Sequence, residues 1–327
     1  EVDRLATVDE CSQLVREYLE RDSPSGAQEG AAPAGSKKAW KAGDTRVGED
    51  GAYSVDIEVG AHHLGLNNLA ETPLMMLLGD LRQSHLNHFT GVPGRHLVDE
   101  TNDRLSTTFY YLQMQFPRQT PMASFGENDR LTIVNTLNSF GNSVMDGYSF
   151  FYPASWPTEK KISLKNGKQA EEMEIPYVRA SNIFVKTAQG ADWQEKSRPA
   201  QPGLDDVPKI AEVPDSYVLI KKASEDESFG PPPGHFSSIT PETLQFEYSI
   251  EPDRDLNGEG LLHFANFCVI QDIAERRLLP EEARIPMGHD LLDKRTVVSR
   301  QSAYLAGAEQ SDSILVSIDA WLENPFL

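Results

Sequence analysis

The sequence has few cysteines and no long apolar run. Cys11 and Cys268 are the only cysteines in 327 residues, which is too few for a disulfide framework and is typical of a reducing cytoplasm. No apolar stretch approaches the roughly 20 residues that cross a membrane, and no basic segment followed by an apolar core suggests a signal peptide. We therefore expect a soluble, cytoplasmic protein. The chain starts at Glu1 without a Met, so both a trimmed chain and a piece excised from a longer polypeptide stay open.

Positive charge is also scarce. The chain has 30 Lys and Arg against 50 Asp and Glu, a formal net charge of -20. Such a surface repels a phosphate backbone, and no basic cluster is interleaved with aromatic residues, so we expect no nucleic-acid partner. Coenzyme A and phosphopantetheine are anionic too and would need local cations. Arg276, Arg277, Lys160 and Lys161 are candidates, besides their simpler role as charged surface.

The signatures of several catalytic and metal sites are missing. There is no Gly-x-Ser-x-Gly, and Cys268 lies in an apolar helical pattern typical of core packing. His85 and His88 have i, i+3 spacing, but no cluster of acids or cysteines completes a metal site, and the solvated face of a helix explains them equally well. We expect neither a serine or cysteine hydrolase nor a metal site.

Apolar periodicity divides the chain into an N-terminal segment and two larger units. Residues 8–20 have the spacing of an amphipathic helix, and an Ala-, Gly- and Pro-rich linker follows, so 1–36 is predicted to be a helical appendage. Residues 37–190 form the first predicted unit. Residues 191–327 contain a Pro-rich crossover and the second unit.

In the first unit, strands are predicted to wrap a buried helix. The alternation from Tyr53 to Val59 is typical of a strand, and Thr72 is predicted to cap a helix that begins at Pro73 and is apolar on every side over 74–78. Three strands rich in β-branched and aromatic residues follow, at 104–116, 131–140 and 143–152. This pattern predicts an α+β fold.

The second unit repeats this plan, which indicates a duplication. Its predicted elements are strands at 217–221 and 244–250, a helix at 261–277, and strands at 295–304 and 313–321. In each unit an acidic or polar turn leads into the apolar helix. Aligning the two turns pairs His63 with Asp255, Leu64 with Leu256, Leu69 with Leu261 and Asp80 with Asp272. A second match pairs Asp129 with Asp312, each ahead of a β-rich run.

Several motifs resemble one family. They are Gly65-Leu-Asn-Asn-Leu-Ala-Glu-Thr-Pro-Leu with Leu78-Gly-Asp, Phe125-Gly-Glu-Asn-Asp, and Asp255-Leu-Asn-Gly-Glu-Gly-Leu-Leu-His-Phe-Ala-Asn-Phe with Asp272 and Glu275-Arg-Arg. Over about 50–327 the chain resembles the double-hot-dog acyltransferase/decarboxylases of polyketide biosynthesis, of the leinamycin-pathway type. The resemblance implies two antiparallel sheets that each wrap a central helix. It also implies decarboxylation and transfer of a malonyl- or methylmalonyl-type group from coenzyme A to an acyl carrier protein.

This chain differs from the family at the acyl-accepting residue, which is thought to be a tyrosine in the family. No tyrosine lies between Ala61 and Pro73, where His62 and His63 stand instead. Tyr53, Tyr110 and Tyr111 lie on predicted strands.

The turns before the two helices carry the candidate site. Decarboxylation produces an enolate, which hydrogen-bond donors at a helix N-terminus stabilise, and His or Asn side chains add further donors. Each residue also has an ordinary structural role in a turn or cap. The catalytic candidates are His63, Asn68, Glu71, Asp255 and His263, and the substrate-binding candidates are His62, Asn67, Asn257, Gly258 and Asn266.

Other functions stay open for the same fold. Polyketide dehydratases resemble this architecture, and His63 with Asp255 would imitate their His and Asp, but their His-x3-Gly-x4-Pro signature is absent because residue 67 is Asn and residue 72 is Thr. Cyclisation, thioester hydrolysis and a non-catalytic acyl-binding or docking domain are further alternatives. We expect no tightly bound cofactor, coenzyme A or phosphopantetheine thioesters as substrates, and an acyl carrier protein or neighbouring polyketide synthase domains as partners.

Overall fold

The computed structural model describes most of the chain after residue 44. The described residues are 45–48, 51–66, 68–141, 143–154, 166–186, 196–226, 228–229, 234–284 and 288–323. They belong to a compact unit, Ala42–Leu327. The helix and linker predicted within 1–36 lie outside the described residues, as do Asn67, Lys160 and Lys161. The domain boundaries proposed above stay predictions.

The first half forms an antiparallel sheet, as its alternating pattern predicts. Val55 and Ile57 are buried on one face of their strand, whereas Ser54 and Asp56 are less buried. The strands of this half are β1 (Arg46–Val47), β2 (Tyr53–Glu58), β3 (Leu64–Gly65), β4 (Asn68–Leu69), β5 (Leu105–Gln115), β6 (Arg130–Asn135), β7 (Asn138–Phe140), β8 (Val144–Pro153) and β9 (Tyr177–Lys186). Six of them are neighbours in the order β1-β2-β6-β8-β9-β5, while β7 pairs with β8 and β3 with β4.

The central helix of this half, α1, is Glu71–Thr90. It begins before the predicted start at Pro73, and its N-cap is Ala70 rather than Thr72. Ala70 has extended backbone angles and no capping side chain, and its carbonyl accepts a hydrogen bond from Leu74 N at 3.2 Å. Gly91 ends the helix with a φ of 69°, a left-handed conformation that glycine adopts without a steric penalty.

The core lies between α1 and the sheet. Leucine and methionine side chains of α1 pack against apolar side chains of the strands, and each fully buried one contributes about 1.5–3 kcal/mol of hydrophobic free energy. A short second helix, α2 (Gly167–Glu172), precedes β9. The main cluster includes Val55, Leu74, Met75, Leu78, Leu112, Met114, Phe116, Ile133 and Phe151.

The second half is smaller but follows the same α+β plan. Its elements are α3 (Asp215–Asp226), β10 (Phe236–Ser238), β11 (Leu244–Ser249), α4 (Pro252–Asp255), α5 (Asn266–Glu282), α6 (His289–Lys294), β12 (Ser299–Ala303), β13 (Ser313–Ile318) and β14 (Trp321–Glu323). β11 pairs with β13, and β10 pairs with β14. The strands predicted at 244–250, 295–304 and 313–321 are confirmed with shorter bounds. α5 packs on β11 and β13 through Leu244, Ala274, Leu278 and Ile318.

The strand predicted at 217–221 is wrong, because these residues belong to α3. Its buried residues are Ser216, Ile220 and Ala223, which fall on one face of a helix and not on alternate positions of a strand. The Ser216 hydroxyl lies 3.1 Å from the Ser181 hydroxyl of β9. Packing against the outer face of the sheet therefore overrides the β-propensity of this segment.

The second central helix begins later than predicted. The helix expected at 261–277 starts at Asn266, because Leu261 and Leu262 lie in β-bridges and the next residues, up to Ala265, form a turn. Leu262 forms its bridge with Leu256 and donates its N–H to the carbonyl of Ala308 at 2.8 Å. The bridge and the turn therefore occupy the residues where the helix was predicted to begin.

The same entry precedes α1, which supports the duplication. Leu64 pairs with Leu69, and Leu69 N donates to the carbonyl of Phe125 at 3.0 Å. These contacts match those of Leu256, Leu262 and Ala308 in the second half. Leu69 therefore corresponds to Leu262, one residue beyond the predicted Leu261.

The second predicted repeat match has the same hydrogen bond in both halves. The Asp129 carboxylate accepts a hydrogen bond from Gly126 N at 2.7 Å, and the Asp312 carboxylate accepts one from Glu309 N at 2.8 Å. Each turn leads toward a strand, β6 in one half and β13 in the other. The pairing of Asp129 with Asp312 is thus reproduced in local geometry.

One strand of the second half extends the sheet of the first. β12 pairs antiparallel with β5 over five residue pairs, from Ser299 with Gln115 to Ala303 with Tyr111. The halves therefore share an eight-stranded sheet that also includes β7. Within the described ranges, no helix has the length and apolar character to cross a membrane.

His85 of α1 is buried, contrary to the solvated position considered for it. Its ring stacks between Tyr53 and Phe89 at 5.3 Å from each, and its Nε2 lies 2.9 Å from the carbonyl of Gly51. Burial, first of all, lowers the pKa of His85 to about 4. The ring is therefore neutral in the folded protein at pH 7.

We predict that His85 makes the protein less stable in mild acid. The histidine pKa is about 6.5 in an unfolded chain. The pKa of His85 is about 4 in the folded protein, so between pH 6.5 and pH 4 this histidine is protonated in the unfolded state but neutral in the folded state. Unfolding free energy should then fall by about 3 kcal/mol as the pH drops through this window. Urea denaturation of wild type and His85→Leu from pH 7 to pH 4.5 measures this. An equal pH dependence in both proteins would contradict the assignment.

Candidate active site

A cavity of about 760 Å³ opens between the two halves. Its wall combines α1, the end of β5 that β12 does not cover, and the turn that leads into α5. Its lining combines apolar residues with ionisable and hydroxyl-bearing residues. The apolar members include Met76, Leu86, Phe109, Met145, Leu262 and Phe264.

His263 lies on the cavity wall, at the entrance to α5. Its Nδ1 accepts a hydrogen bond from Ala265 N at 3.2 Å, so a neutral ring carries its proton on Nε2. Burial lowers the pKa of His263, while the nearby Asp80 carboxylate opposes this effect by favouring the charged ring. At neutral pH the imidazole is therefore a hydrogen-bond donor through Nε2.

Asp80 lines the same cavity from α1. It lies next to Gly79, where an added Cβ would approach the Phe264 ring to 3.1 Å. This close approach brings the middle of α1 against the first turn of α5. The N-terminus of a helix has positive potential from its dipole and its free N–H groups. The cavity thus combines a carboxylate, an imidazole N–H and a helix N-terminus.

Asn257 also lines the cavity, but its side chain shapes the turn. Its Oδ1 accepts hydrogen bonds from Glu259 N at 2.9 Å and Leu261 N at 3.1 Å. Gly258, in the same turn, is exposed, and a Cβ there would meet nothing within 4 Å. The substrate-binding roles of Asn257 and Gly258 stay predictions.

Asp255 and Asn266 are buried behind the turn. The Asp255 carboxylate accepts hydrogen bonds from the Tyr248 hydroxyl at 2.7 Å and Glu251 N at 2.8 Å, and it pairs with Arg254 at 3.0 Å. Asn266 Nδ2 donates to the carbonyls of Arg254 and Asp255. Both side chains hold the turn in place, and neither lines the cavity.

The first-half candidates lie at the entrance to α1, away from the cavity. His63 is buried, its Nδ1 accepts a hydrogen bond from Gly60 N at 2.9 Å, and burial together with the neighbouring His62 lowers its pKa. The rings of His62 and His63 lie 3.9 Å apart. Asn68 has a φ of 64° and donates its Nδ2 to the Ala123 carbonyl at 2.6 Å. Their catalytic or binding roles stay predictions.

Glu71 joins the two halves through Arg300. Its carboxylate forms a bidentate pair with the guanidinium, at 2.5 Å to Nε and 2.9 Å to Nη2. Arg300 also donates to the side chain of Gln271 in α5. The pair is half-buried and connects the first turn of α1 with β12 and α5.

Asp272 and Glu275-Arg-Arg, which carry part of the resemblance, form a charged cluster with the segment after α6. Arg295 pairs with both Asp272 and Glu275, and Arg276 pairs with Asp272 at 2.9 Å. Arg277 is exposed and lies 5.2 Å over the Phe246 ring. Arg276 is therefore engaged in ion pairs, and this cluster holds α6 against α5.

Tyr304 is a cavity residue that the sequence did not single out. Its hydroxyl lies 3.4 Å from the carbonyl of Phe264, and burial raises its pKa above the ordinary value. Tyr111 is fully buried, and burial raises its pKa to about 12. Neither phenol is easily ionised, so neither is an activated nucleophile.

Cysteine and metal chemistry have no visible basis in the described residues. Cys268 is buried in the core, as predicted, and burial raises its pKa to about 11. Over the described ranges, no group of three or more His, Cys, Asp and Glu side chains lies close enough together to hold a metal ion.

Asp80, Arg82 and Thr107 are further cavity residues that the motif analysis did not assign to a site. Asp80 had two available signals, since it belongs to the Leu78-Gly-Asp motif and is paired with Asp272 in the duplication. Arg82 and Thr107 had none, because their proximity depends on how α1 crosses β5.

Comparison with known proteins identifies the fold. No family model matches the chain, and no curated protein matches its sequence. Among solved structures, a proposed oleoyl thioesterase from Lactobacillus plantarum is similar over 81% of this chain and 83% of that one, with 8% identity and a TM-score of 0.53. An acyl-ACP thioesterase from Bacteroides thetaiotaomicron is similar over 81% and 85%, with 11% identity and a TM-score of 0.49. The first of these likenesses shows the hot-dog fold, and the predicted α+β fold class is confirmed.

We predict that the Glu71–Arg300 pair stabilises the joint between the halves. Arg300→Gln leaves a half-buried carboxylate without its cation and should lower the unfolding free energy by about 2–3 kcal/mol. A urea-denaturation cycle with Glu71→Gln and the double variant should show a coupling of about 1–2 kcal/mol. Arg130→Gln is the matched control, because its pair with Glu58 is exposed and should contribute less than about 1 kcal/mol. Equal losses in Arg300→Gln and Arg130→Gln would rule out this role.

Proposed function

We propose that this chain is an enzyme that hydrolyses an acyl thioester carried by coenzyme A or an acyl carrier protein. The observation that carries the proposal is that His263, just before α5, and Asp80, on α1, line the same cavity and interact electrostatically. The likeness to a proposed oleoyl thioesterase supports the same class of substrate by analogy of fold.

The roles follow from the protonation of the two side chains. The Nε2–H of His263 donates to the thioester oxygen, and the first turn of α5 adds positive potential where negative charge develops. Asp80 takes a proton from a water molecule as the water oxygen attacks the carbonyl carbon. The C–S bond then breaks, and the leaving thiolate receives that proton from Asp80. The products are the free acid and the thiol.

The cavity also has cations suited to an anionic carrier arm. Arg95 and Arg104 lie on its wall, and Arg104 pairs with Glu259 at 3.0 Å. The net charge of -20 would repel a coenzyme or carrier phosphate at long range. Because Glu259 offsets the charge of Arg104, Arg95 is the cation that counters this repulsion at the cavity wall, which favours a carrier arm entering beside it.

A second candidate function is decarboxylation, with or without acyl transfer, of a malonyl- or methylmalonyl-type thioester in polyketide biosynthesis. The observation that favours it is the Nε2–H of His263, because the same donor would stabilise the enolate oxygen left by loss of carbon dioxide. The family resemblance of the 255–267 motif supports it as well. An acyl-enzyme is less favoured, because burial raises the pKa of the cavity phenol, Tyr304.

We predict that the Asp80 and His263 variants lose turnover. The protein is incubated with acetyl-, malonyl-, methylmalonyl- and longer acyl groups on coenzyme A and on an acyl carrier protein, and products are identified by mass. Free acid and thiol indicate hydrolysis, whereas an acyl thioester lighter by carbon dioxide indicates decarboxylation. Asp80→Asn should lower hydrolysis by about 100-fold or more, and His263→Ala by a similar factor.

Matched substitutions on the exposed surface test whether such losses are specific. Asp253→Asn and His88→Ala change exposed side chains outside the cavity and should keep the wild-type rate. Full turnover in both cavity variants would overturn the assignment of Asp80 and His263. Binding of acyl thioesters by the wild type without any turnover would instead establish a non-catalytic acyl-binding domain.

A further inference from the structure

Arg82, a cation in the cavity lining, donates its hydrogen bonds to neutral groups. Arg82, on α1, donates Nη2 to the carbonyl of Met145 at 3.0 Å and Nε to the side-chain oxygen of Asn182. Within the described part of the chain, none of its hydrogen bonds goes to a carboxylate. Burial lowers the pKa of Arg82 to about 10, with Asp146 opposing, so the side chain stays charged at neutral pH. Asp146 acts on Arg82 without a hydrogen bond to it among the described residues, so the guanidinium can still pair directly with the anion of a ligand.

A hydroxyl group lies nearby without a partner. Thr107 of β5 lines the cavity, and its buried Oγ1 has no hydrogen-bond partner among the described residues. Phe109 pairs with Asn182 across the sheet. Thr107 shares the face of Phe109, two residues along β5, so it is a diagonal neighbour of Asn182, at roughly 7–8 Å between Cα atoms. Thr107, Asn182 and Arg82 therefore border the same part of the cavity.

Arg82, Thr107 and Asn182 lie a short distance from the proposed reaction centre at His263. Gly79 packs against Phe264, next to His263, and Arg82 follows Gly79 by three residues on α1. Three helical residues advance about 5 Å along the axis. A thioester carbonyl at His263 and an acyl end group at Arg82 are thus separated by only a few bonds.

We propose that Arg82, Thr107 and Asn182 form a subsite for the carboxylate of a short dicarboxylic acyl group, an inference that rests on the proposed function. The guanidinium and the hydroxyl both donate to the carboxylate, and Asn182 holds the guanidinium in place. Such pairing stabilises the carboxylate in the ground state, which opposes loss of carbon dioxide and leaves cleavage at the thioester as the favoured step.

The test uses two ligands that differ only in the carboxylate and cannot react. They are the 2-carboxyethyl and propyl thioethers of coenzyme A, and calorimetry measures the affinity of each for the full chain. Wild type should bind the carboxyethyl thioether at least about tenfold more tightly, as expected for hydrogen bonds to a charged group. Arg82→Gln should remove most of this preference, and Thr107→Val should reduce it several-fold, while affinity for the propyl thioether changes little.

Thr107→Val provides an independent test if Arg82→Gln fails to fold. This variant should fold, because it removes a buried hydroxyl that has no hydrogen-bond partner among the described residues. Arg130→Gln and Thr243→Val, both at exposed positions outside the cavity, are the matched controls and should keep the wild-type preference. Equal wild-type affinity for the two thioethers, or an unchanged preference in Thr107→Val and Arg82→Gln, would overturn the subsite alone. Absence of binding for both thioethers, whether presented on coenzyme A or on the phosphopantetheine arm of an acyl carrier protein, would overturn the proposed function together with the subsite.

Discussion

The pairing of β12 with β5 is the constraint on which the rest of the structure depends. It attaches the second half to the edge of the first sheet over only part of β5, from Tyr111 to Gln115. The uncovered end of β5 then faces the entrance to α5, and the space between them is the cavity. The Glu71–Arg300 pair lies beside this joint, so the ion pair and the strand pairing fix the same arrangement. A cavity formed in this way needs both halves.

The duplication produces two similar helix entries that differ in their surroundings. Both have a leucine pair that bridges the turn and a backbone hydrogen bond from its second leucine to a neighbouring loop. At the first entry, His63 is buried, and the carboxylate of Glu71, the first residue of α1, forms an ion pair with Arg300. At the second, His263 stays partly accessible at a cavity. A shared local fold therefore does not imply a shared chemical role, because the neighbouring half decides which entry lines a cavity.

The sequence predicted what depends on local pattern and missed what depends on tertiary contact. Alternation located the strands of the first half, and the acid before each β-rich run located two equivalent turns at Asp129 and Asp312. The pattern failed at 217–221, where β-branched and aromatic residues favour a strand and the outer sheet face selects a helix. Among the candidates that the motifs indicated, Asn257 and His263 line the cavity, whereas His63 and Asp255 do not. The sequence pattern could not identify Arg82 and Thr107 as cavity residues. Their proximity depends on how α1 crosses β5, and no residue spacing along the chain predicts that crossing.

The distribution of charge within the cavity connects fold and chemistry. A protein of net charge -20 binds an anionic thioester only if cations are concentrated where the ligand lies. Arg95 supplies such charge on the cavity wall, where Glu259 offsets that of Arg104, and Arg82 supplies it from α1. An interior cation also lowers the energy of any carboxylate beside it, whereas decarboxylation needs that carboxylate to be destabilised. A carboxylate held at the proposed Arg82 subsite would therefore favour cleavage of the thioester over loss of carbon dioxide, although His263 is suited to stabilise the oxyanion of either reaction.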